Sequence, residues 1–461
     1  MPVSEIRFSD ILIDRRFEAE YYHPIRMKTI EALRNSGFEL TLLGKIANIR
    51  RELIDPQDYY SKRFIYVELK NVPFGGFGTI FTKVLGKELD STKLRFKKTD
   101  ILFSKIRTYL NKVVLIPEYI EEGICSTEFV VLNIFKSEYD PYALWIYLIS
   151  KYTYNQVRFI GIGSTRPRAN PADILNIRVP IFPKDFQQKI GDITRDAFKK
   201  IQIADQKYQQ AEEKLYELLG ISKEEIEKLE AEKAYEVNFK EVRQAFRFDA
   251  EYYHPKYLGV IELLKKVPFE VKPLKEIAKI KHKKVNPEDK LYRTKKVKYI
   301  EIGGIDTAFG EIIKYKEDYG WKLPSGDKYL VKEKDILYSK VRPYRKGIGF
   351  VTDEFKGSLV TQGFTVVRCK DESIIPEFLF VYLRSDIGNL PVLRNMSGST
   401  YPTIKDEDVG KILIPKVPKD EQQEIAELVR EYFKLRKESR QLVQRAIREV
   451  EEAIENASPR E

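Results

Sequence analysis

Two short stretches of this chain combine cations, hydroxyls, glycine and tyrosine at spacings suited to a polyanion. In the first, Lys105, Arg107, Tyr109 and Lys112 follow an apolar run, and Lys340, Arg342, Tyr344, Arg345 and Lys346 follow a matching run further along. Alternation after a strand lets several of these side chains point one way. Lys and Arg there could neutralise phosphates, and Arg can fork onto guanine. A solvated strand edge blunted with lysine against aggregation would give the same pattern without a ligand. The second stretch is residues 161–168, G-I-G-S-T-R-P-R, matched by residues 397–403, S-G-S-T-Y-P-T. Glycine allows close backbone approach, so Ser399, Thr400 and Tyr401, or Arg166 and Arg168, can reach nucleic-acid oxygens or bases. A plain turn introducing the next strand is an equal alternative. Two arginines in one copy against Tyr401 and Thr403 in the other is the difference expected of copies that read different sequences.

Catalytic signatures are missing from the sequence. It has no GxxxxGK(S/T) phosphate loop, no GxGxxG after a strand, no HExxH and no paired CxxC. The DPPY or NPPF tetrapeptides that grip a flipped base in amino-methyltransferases are absent too; Asn170-Pro171-Ala172-Asp173 is not one of them. Cys125 and Cys369 do not occupy equivalent positions in the two copies, so neither a repeated disulfide nor a repeated metal site can be built from them. They read as buried thiols. Only three histidines occur, and His23 and His254 sit just before proline in a repeated motif, which favours a structural role.

The elements that must position these stretches come in duplicate. Residues 16–24 read R-F-E-A-E-Y-Y-H-P and residues 247–255 read R-F-D-A-E-Y-Y-H-P, identical at eight of nine positions and displaced by 231. Phe8 falls on Phe239 at the same offset, Tyr66 on Tyr299 at 233, and Asp100 through Arg107 on Asp335 through Arg342 at 235. That last offset holds through Gly163 and Gly398 to Pro183 and Pro418. A repeat this long is a whole domain with its connector, and small insertions mark surface loops on a kept scaffold. From about residue 40 to 180, and again from 270 to 415, runs rich in Val, Ile, Phe and Tyr are separated by Gly, Pro and Asn and read as strands. Helical segments from Pro141 and Pro376 interrupt them, so the fold class is α+β.

Each strand-rich region runs into a long helix. Ile190, Ile193, Ile201, Tyr208 and Leu215 recur at coiled-coil spacing after Pro183, and Ile425, Leu428, Leu435, Leu442 and Val450 do so after Pro418, with the polar Ser439 interrupting the second seam. Gly220 can end the first helix, and Ser222 with Glu225 suggests a capping box opening another. Helices of about 35 residues would be about 50 Å long and can pair with each other as a ruler. The expected organisation is two tandem globular domains, residues 1–183 and 234–418, each followed by a helical spacer, residues 184–233 and 419–461. The two helices pair as an antiparallel coiled coil.

Composition is consistent with a polyanion-binding protein. The chain has 461 residues, 43% hydrophobic, and a net charge of +11, so each half can bury its own core and a polyanionic partner is favoured. No apolar run approaches the length needed to span a bilayer, and the N-terminus lacks a signal peptide's apolar stretch, so a cytoplasmic location with no membrane association is expected.

R-F-(D/E)-A-E-Y-Y-x-P, I-L-x-S-K-(I/V)-R, G-S-T and P-K-D-x-Q-Q-x-I, in order and in duplicate, closely resemble the specificity subunit of type I restriction-modification systems. The resemblance covers nearly the whole chain. It implies a non-catalytic reader whose two target-recognition domains, held in inverted orientation on the paired helices, each read one half of a split, asymmetric site in double-stranded DNA. It also implies recruitment of two methyltransferase subunits, which use S-adenosylmethionine on adenine, and through them of restriction subunits requiring ATP and Mg. No cofactor is expected in this chain. The competing readings are a stand-alone two-domain DNA-binding protein, such as a repressor or architectural factor, and a protein scaffold whose basic charge is incidental.

Overall fold

The computed structural model describes residues 16–135, 138–232, 234–280 and 282–457; Phe8 and the extreme N-terminus lie outside them. Two compact units result. One unites the chain through Gln202 with Arg436 onward, and the other is Ile203–Leu435.

In the first unit the repeated tyrosine motif ties the start of the chain to the core. Tyr21 and Tyr22 are buried, and the Tyr22 hydroxyl donates to the Arg16 carbonyl at 3.0 Å. Arg16 Nη1 donates to Asp173 Oδ2 at 2.7 Å. His23 Nδ1 accepts from the Ile25 amide at 3.2 Å, capping the helix Pro24–Arg34, whose first residue is the proline that follows. The second unit repeats the device: Tyr253 donates to the Arg247 carbonyl at 2.9 Å, and His254 Nδ1 caps Pro255–Lys266 from the Lys256 amide at 3.1 Å. Both histidines are therefore helix caps, the structural role expected.

The sheets of the first unit fall in the strand-rich region. A four-stranded antiparallel sheet runs in the order Ala47–Arg50, Phe129–Ile134, Ile101–Ser104, Val113–Leu115. A five-stranded sheet runs Leu53–Ile54, Lys93–Lys97, Glu122–Cys125, Arg63–Val67, Thr82–Leu85, with the pair Arg63–Val67 and Glu122–Cys125 parallel. Leu40–Leu42 and Arg178–Pro180 pair antiparallel and close the region at its two ends. The helix Pro141–Ile149, buried at every residue, packs behind the four-stranded sheet, where Trp145 Nε1 donates to the Val113 carbonyl at 2.9 Å. The second unit has the same strand orders, with Phe364–Cys369 and Ile336–Ser339 at the centre of its four-stranded sheet and Pro376–Arg384 as its buried helix. Two strand-rich units with long helices make the α+β class expected.

The long helices are Lys184–Leu219, of 36 residues, and Lys419–Asn456, of 38. Gly220, at φ +62°, ends the first, and Ser222 and Glu225 form a reciprocal capping box opening Lys223–Ala231. Each helix contributes to the cores of both units. Ile190, Ala197 and Ile201 share the first core with Val443, Ala446 and Val450, whereas Tyr208, Ala211 and Leu215 share the second with Ile425, Val429 and Tyr432. The pairing is antiparallel in each unit: Lys189 reaches Glu449 at 2.8 Å and Lys200 reaches Glu438 at 2.9 Å in the first, and Lys207 reaches Glu431 at 2.7 Å in the second, where Lys214 also pairs with Glu424.

The buried row of the second helix differs in detail from the leucine count. Leu428, Leu435 and Leu442 are half-buried, as is Ile193, while the neighbours Val429, Arg436 and Val443 are buried. Ser439 does not interrupt the row: it is fully buried and its hydroxyl donates to the Arg436 carbonyl at 2.8 Å. Hydrophobicity alone passes over Arg436 and Ser439, and with them the phase of the helix.

The P-K-D-x-Q-Q-x-I motif bolts each long helix to its unit. Gln187 is buried; its Oε1 accepts the Asp140 amide at 3.0 Å and its Nε2 donates to the Phe182 carbonyl at 2.8 Å. Gln422 is likewise buried, accepting from the Ile375 amide at 2.7 Å and donating to the Val417 and Ser373 carbonyls, each at 2.8 Å. Gln188, one residue on, is exposed. Gln187→Ala is expected to cost roughly 1–3 kcal/mol, because it strands a backbone donor and an acceptor away from water, and Gln188→Ala within about 0.5 kcal/mol. Denaturant unfolding of the two variants against the parent chain checks the difference.

Candidate nucleic-acid interface

The stretch after the central strand leaves it at a serine. Ser104 Oγ donates to the Ile106 carbonyl and Ser339 Oγ to the Val341 carbonyl, both at 2.9 Å. The chain then turns through a short 3-10 helix, Thr108–Leu110 or Pro343–Arg345, flanked on each side by a left-handed residue. Arg107 and Arg342 both sit at φ 49°, and Asn111 and Lys346 at 45° and 52°. A left-handed non-glycine residue costs of order 1–3 kcal/mol and persists only where its surroundings over-determine it.

Those surroundings are the second stretch. Arg107 donates its amide to the Pro167 carbonyl at 2.8 Å and its Nη2 to the Thr165 carbonyl at 3.3 Å. Arg342 does the same to Pro402 at 2.7 Å and Thr400 at 3.0 Å. Bridges between Ile106 and Arg168, and between Val341 and Thr403, complete the junction. The two stretches, separated by more than fifty residues, thus form one surface in each unit. In both, the arginine Nε is buried without a hydrogen-bond partner.

The cations do not all point one way, because the chain leaves the strand before alternation can act. Lys112 turns inward to the Leu69 carbonyl. Arg168 forks onto Glu128 at 2.5 and 3.2 Å, Lys340 pairs with Asp406 at 3.0 Å, and Lys346 with Asp386 at 2.7 Å. Among the described residues Lys105, Arg166 and Arg345 make no ion pair, and Arg166 and Arg345 are exposed. Tyr109, Tyr344 and Tyr401 are also exposed; Arg342 lies over the Tyr401 ring at 4.4 Å and Arg345 over Tyr344 at 5.9 Å. Ser399 and Thr400 are exposed beside them.

The second unit carries one support that the first lacks. Arg384 is buried; its Nε donates to the Tyr208 hydroxyl at 2.7 Å, and its other nitrogens donate to the carbonyls of Lys346, Ile348, Thr307 and Ala308 at 2.8 to 3.0 Å. It links the left-handed Lys346 to the long helix. The position that Arg384 takes falls on Ile149 in the first copy, whose carbonyl instead accepts from Asn111 Nδ2 at 3.1 Å.

A further pair of surfaces escaped the sequence reading. Gly86 and Gly320 anchor equivalent turns, where an added Cβ would lie 2.3 Å from the Pro56 carbonyl oxygen or 2.2 Å from that of Pro287. The next residues, Lys87 and Trp321, are exposed beside aromatics and cations: Lys87 lies 5.8 Å over the Tyr60 ring, and Lys322 lies 5.2 Å over Trp321 and 5.7 Å over Tyr319. The signal was an aligned glycine followed by unlike residues, hidden by an intervening change of register.

Neither cysteine belongs to these surfaces. Burial pushes the Cys125 thiol up, and raises that of Cys369 to about 12. Among the described residues no group of three or more His, Cys, Asp or Glu side chains could hold a metal ion, and no helix is long and apolar enough to cross a membrane.

Comparison with known proteins gives a consistent family. The curated specificity subunit of the type I restriction enzyme HindI from Haemophilus influenzae is 28% identical over 109 residues, which cover 23% of this chain and 24% of that subunit's length. The crystal structure of the HsdS subunit from Thermoanaerobacter tengcongensis is similar over 91% of this chain and 97% of its own, at 16% identity and a TM-score of 0.34. The S subunit of a type I restriction-modification system from M. genitalium is similar over 93% of this chain and 98% of its own, at 12% identity and a TM-score of 0.42. The family described as type I restriction modification DNA specificity domain matches residues 35–213 and 266–445, well over half of the sequence and once in each copy. The chain belongs to that family of type I restriction-modification DNA specificity domains.

Proposed function

We propose that this protein is the DNA sequence-specificity subunit of a type I restriction-modification complex. Residues 1–183 and 234–418 act as its two target-recognition domains, with residues 184–233 and 419–461 as the helical spacers. Each domain reads one half of a bipartite, asymmetric site. The observation that carries the reading is the duplicated left-handed arginine: Arg107 and Arg342 have the same φ and the same carbonyl partners, and each keeps one buried donor unused. The scaffold is held constant while the exposed side chain next to it differs, Arg166 against Tyr401. A constant cation positions the domain on phosphate, and the neighbouring variable side chains meet base edges.

The chain itself contributes no active site in this reading. Two methyltransferase subunits supply adenine methylation with S-adenosylmethionine, and restriction subunits supply ATP- and Mg-dependent cleavage, in the cytoplasm. Of the cations, Lys105, Arg166 and Arg345 make no ion pair and serve as direct contacts alongside Arg107 and Arg342, with Tyr109, Tyr344, Tyr401, Ser399 and Thr400 beside them. Lys112, Arg168, Lys340 and Lys346 hold the surface in shape through the carbonyl or carboxylate each engages.

Two outcomes test this. Arg107→Gly keeps a residue at ease at positive φ while deleting the guanidinium, so the fold should survive and the assembled complex should lose about 1–3 kcal/mol of DNA affinity with a shallower salt dependence; fluorescence anisotropy across a salt series measures both. The double substitution Arg166→Tyr/Arg168→Thr should alter one half of the methylated motif and leave the other unchanged, as read by mapping modified adenines in cells that express the complex. A change in both halves, or in neither, would count against one domain reading one half-site.

A further inference from the structure

The apolar seam does not by itself choose which helices pair. Buried positions of the second long helix are those of the first displaced by 235: Ile190, Thr194, Ala197, Ile201, Ala204 and Tyr208 correspond to Ile425, Val429, Tyr432, Arg436, Ser439 and Val443. Both helices therefore present the same stripe. Two copies of the first helix, set in the observed antiparallel register, would bring Ile190 opposite Leu215 and Ala197 opposite Tyr208, which are acceptable apolar layers.

The charges flanking the stripe do choose. In four flanking pairs, two in each unit, the lysine comes from the first helix and the glutamate from the second: Lys189 with Glu449, Lys200 with Glu438, Lys207 with Glu431, Lys214 with Glu424. The outer positions coincide under the repeat, since Lys189 corresponds to Glu424 and Lys214 to Glu449. Two copies of the first helix in this register would therefore set Lys189 against Lys214 twice, and two copies of the second would set Glu424 against Glu449 twice. The inner pairs discriminate less, because Lys207 would meet Asp196.

We propose that the outer charges, Lys189, Lys214, Glu424 and Glu449, select pairing of the first helix with the second and reject pairing of either with its own copy. Flanking charges of this kind set partner choice in coiled coils. The result is one assembly containing two unlike globular domains rather than a symmetric pair of identical ones. This selectivity stands independently of the DNA reading, and its test reads unfolding, not DNA. The expected preference is on the order of tenfold, summed over pairs that each contribute modestly and are screened by salt.

Full-length chains carrying Lys189→Glu/Lys214→Glu, or Glu424→Lys/Glu449→Lys, place like charges within their own helix pair. Each is expected to unfold at lower temperature than the parent at low ionic strength, and the chain carrying all four substitutions should recover most of that loss. Raising the salt to about 1 M should narrow the difference between the double variants and the parent. The milder Lys189→Gln/Lys214→Gln chain should fall between parent and reversal, which keeps the test valid should a reversal fail to fold. A fourfold variant no more stable than the doubles, or doubles as stable as the parent at low ionic strength, would overturn the proposal.

Discussion

Burial of one apolar row along each long helix is the constraint on which everything else rests. Neither core is complete without strips from both helices, so the first unit is assembled from residues at opposite ends of the chain. Fully burying a side chain such as Ile190, Leu215, Ile425 or Val450 is worth roughly 1.5–3 kcal/mol relative to leaving it in water, so the row outweighs the exposed ion pairs beside it. Those pairs, individually small, decide instead which row meets which. Gln187 and Gln422 transmit the position of each helix into its unit by hydrogen bonds that no other polar side chain of that length could make with both a backbone donor and a backbone acceptor.

Strain at the candidate interface is the second consistent theme. Arg107, Asn111, Arg342 and Lys346 all occupy left-handed conformations that glycine would adopt more cheaply. Each copy nevertheless keeps a long or polar side chain there and braces the arginine with hydrogen bonds to the second stretch. The bracing fixes where the guanidinium emerges, a preorganisation that would lower the ordering cost of a ligand bound there. The two units then differ in how they support the turn, with Arg384 in one and Asn111 in the other. A scaffold of this sort tolerates exchange of its exposed residues without losing its geometry.

A comparable exchange occurs in the core. Asp100 and Asp335 immediately precede equivalent strands and are both buried, and burial raises the Asp100 pKa despite its neighbouring guanidinium. The compensating arginine differs in origin: Arg50 bonds Asp100 from one strand, whereas Arg368 bonds Asp335 from the adjacent one. In aligned sequences the two arginines fall at unrelated positions. Their equivalence is visible only once neighbouring strands lie side to side and present their side chains to the same carboxylate.

Whatever is written as a local pattern was legible in the sequence: the duplication, the strand-rich segments, the helix stop at Gly220, the capping box at Ser222, a structural role for His23 and His254, and the family motifs. Heptad spacing revealed that the helices are amphipathic, yet it favoured Leu428, Leu435 and Leu442 over the buried Val429, Arg436 and Val443. Only the tertiary structure decided that phase, because a buried arginine or serine counts as polar until its partners are in place. It likewise decided which cations remain available. Lys112, Arg168, Lys340 and Lys346 look alike in sequence to Lys105, Arg166 and Arg345, but the carbonyl or carboxylate that engages each of the first four is brought from dozens of residues away. Electrostatic and hydrogen-bond partnership acts over a few ångströms of space, and no periodicity along the chain records it.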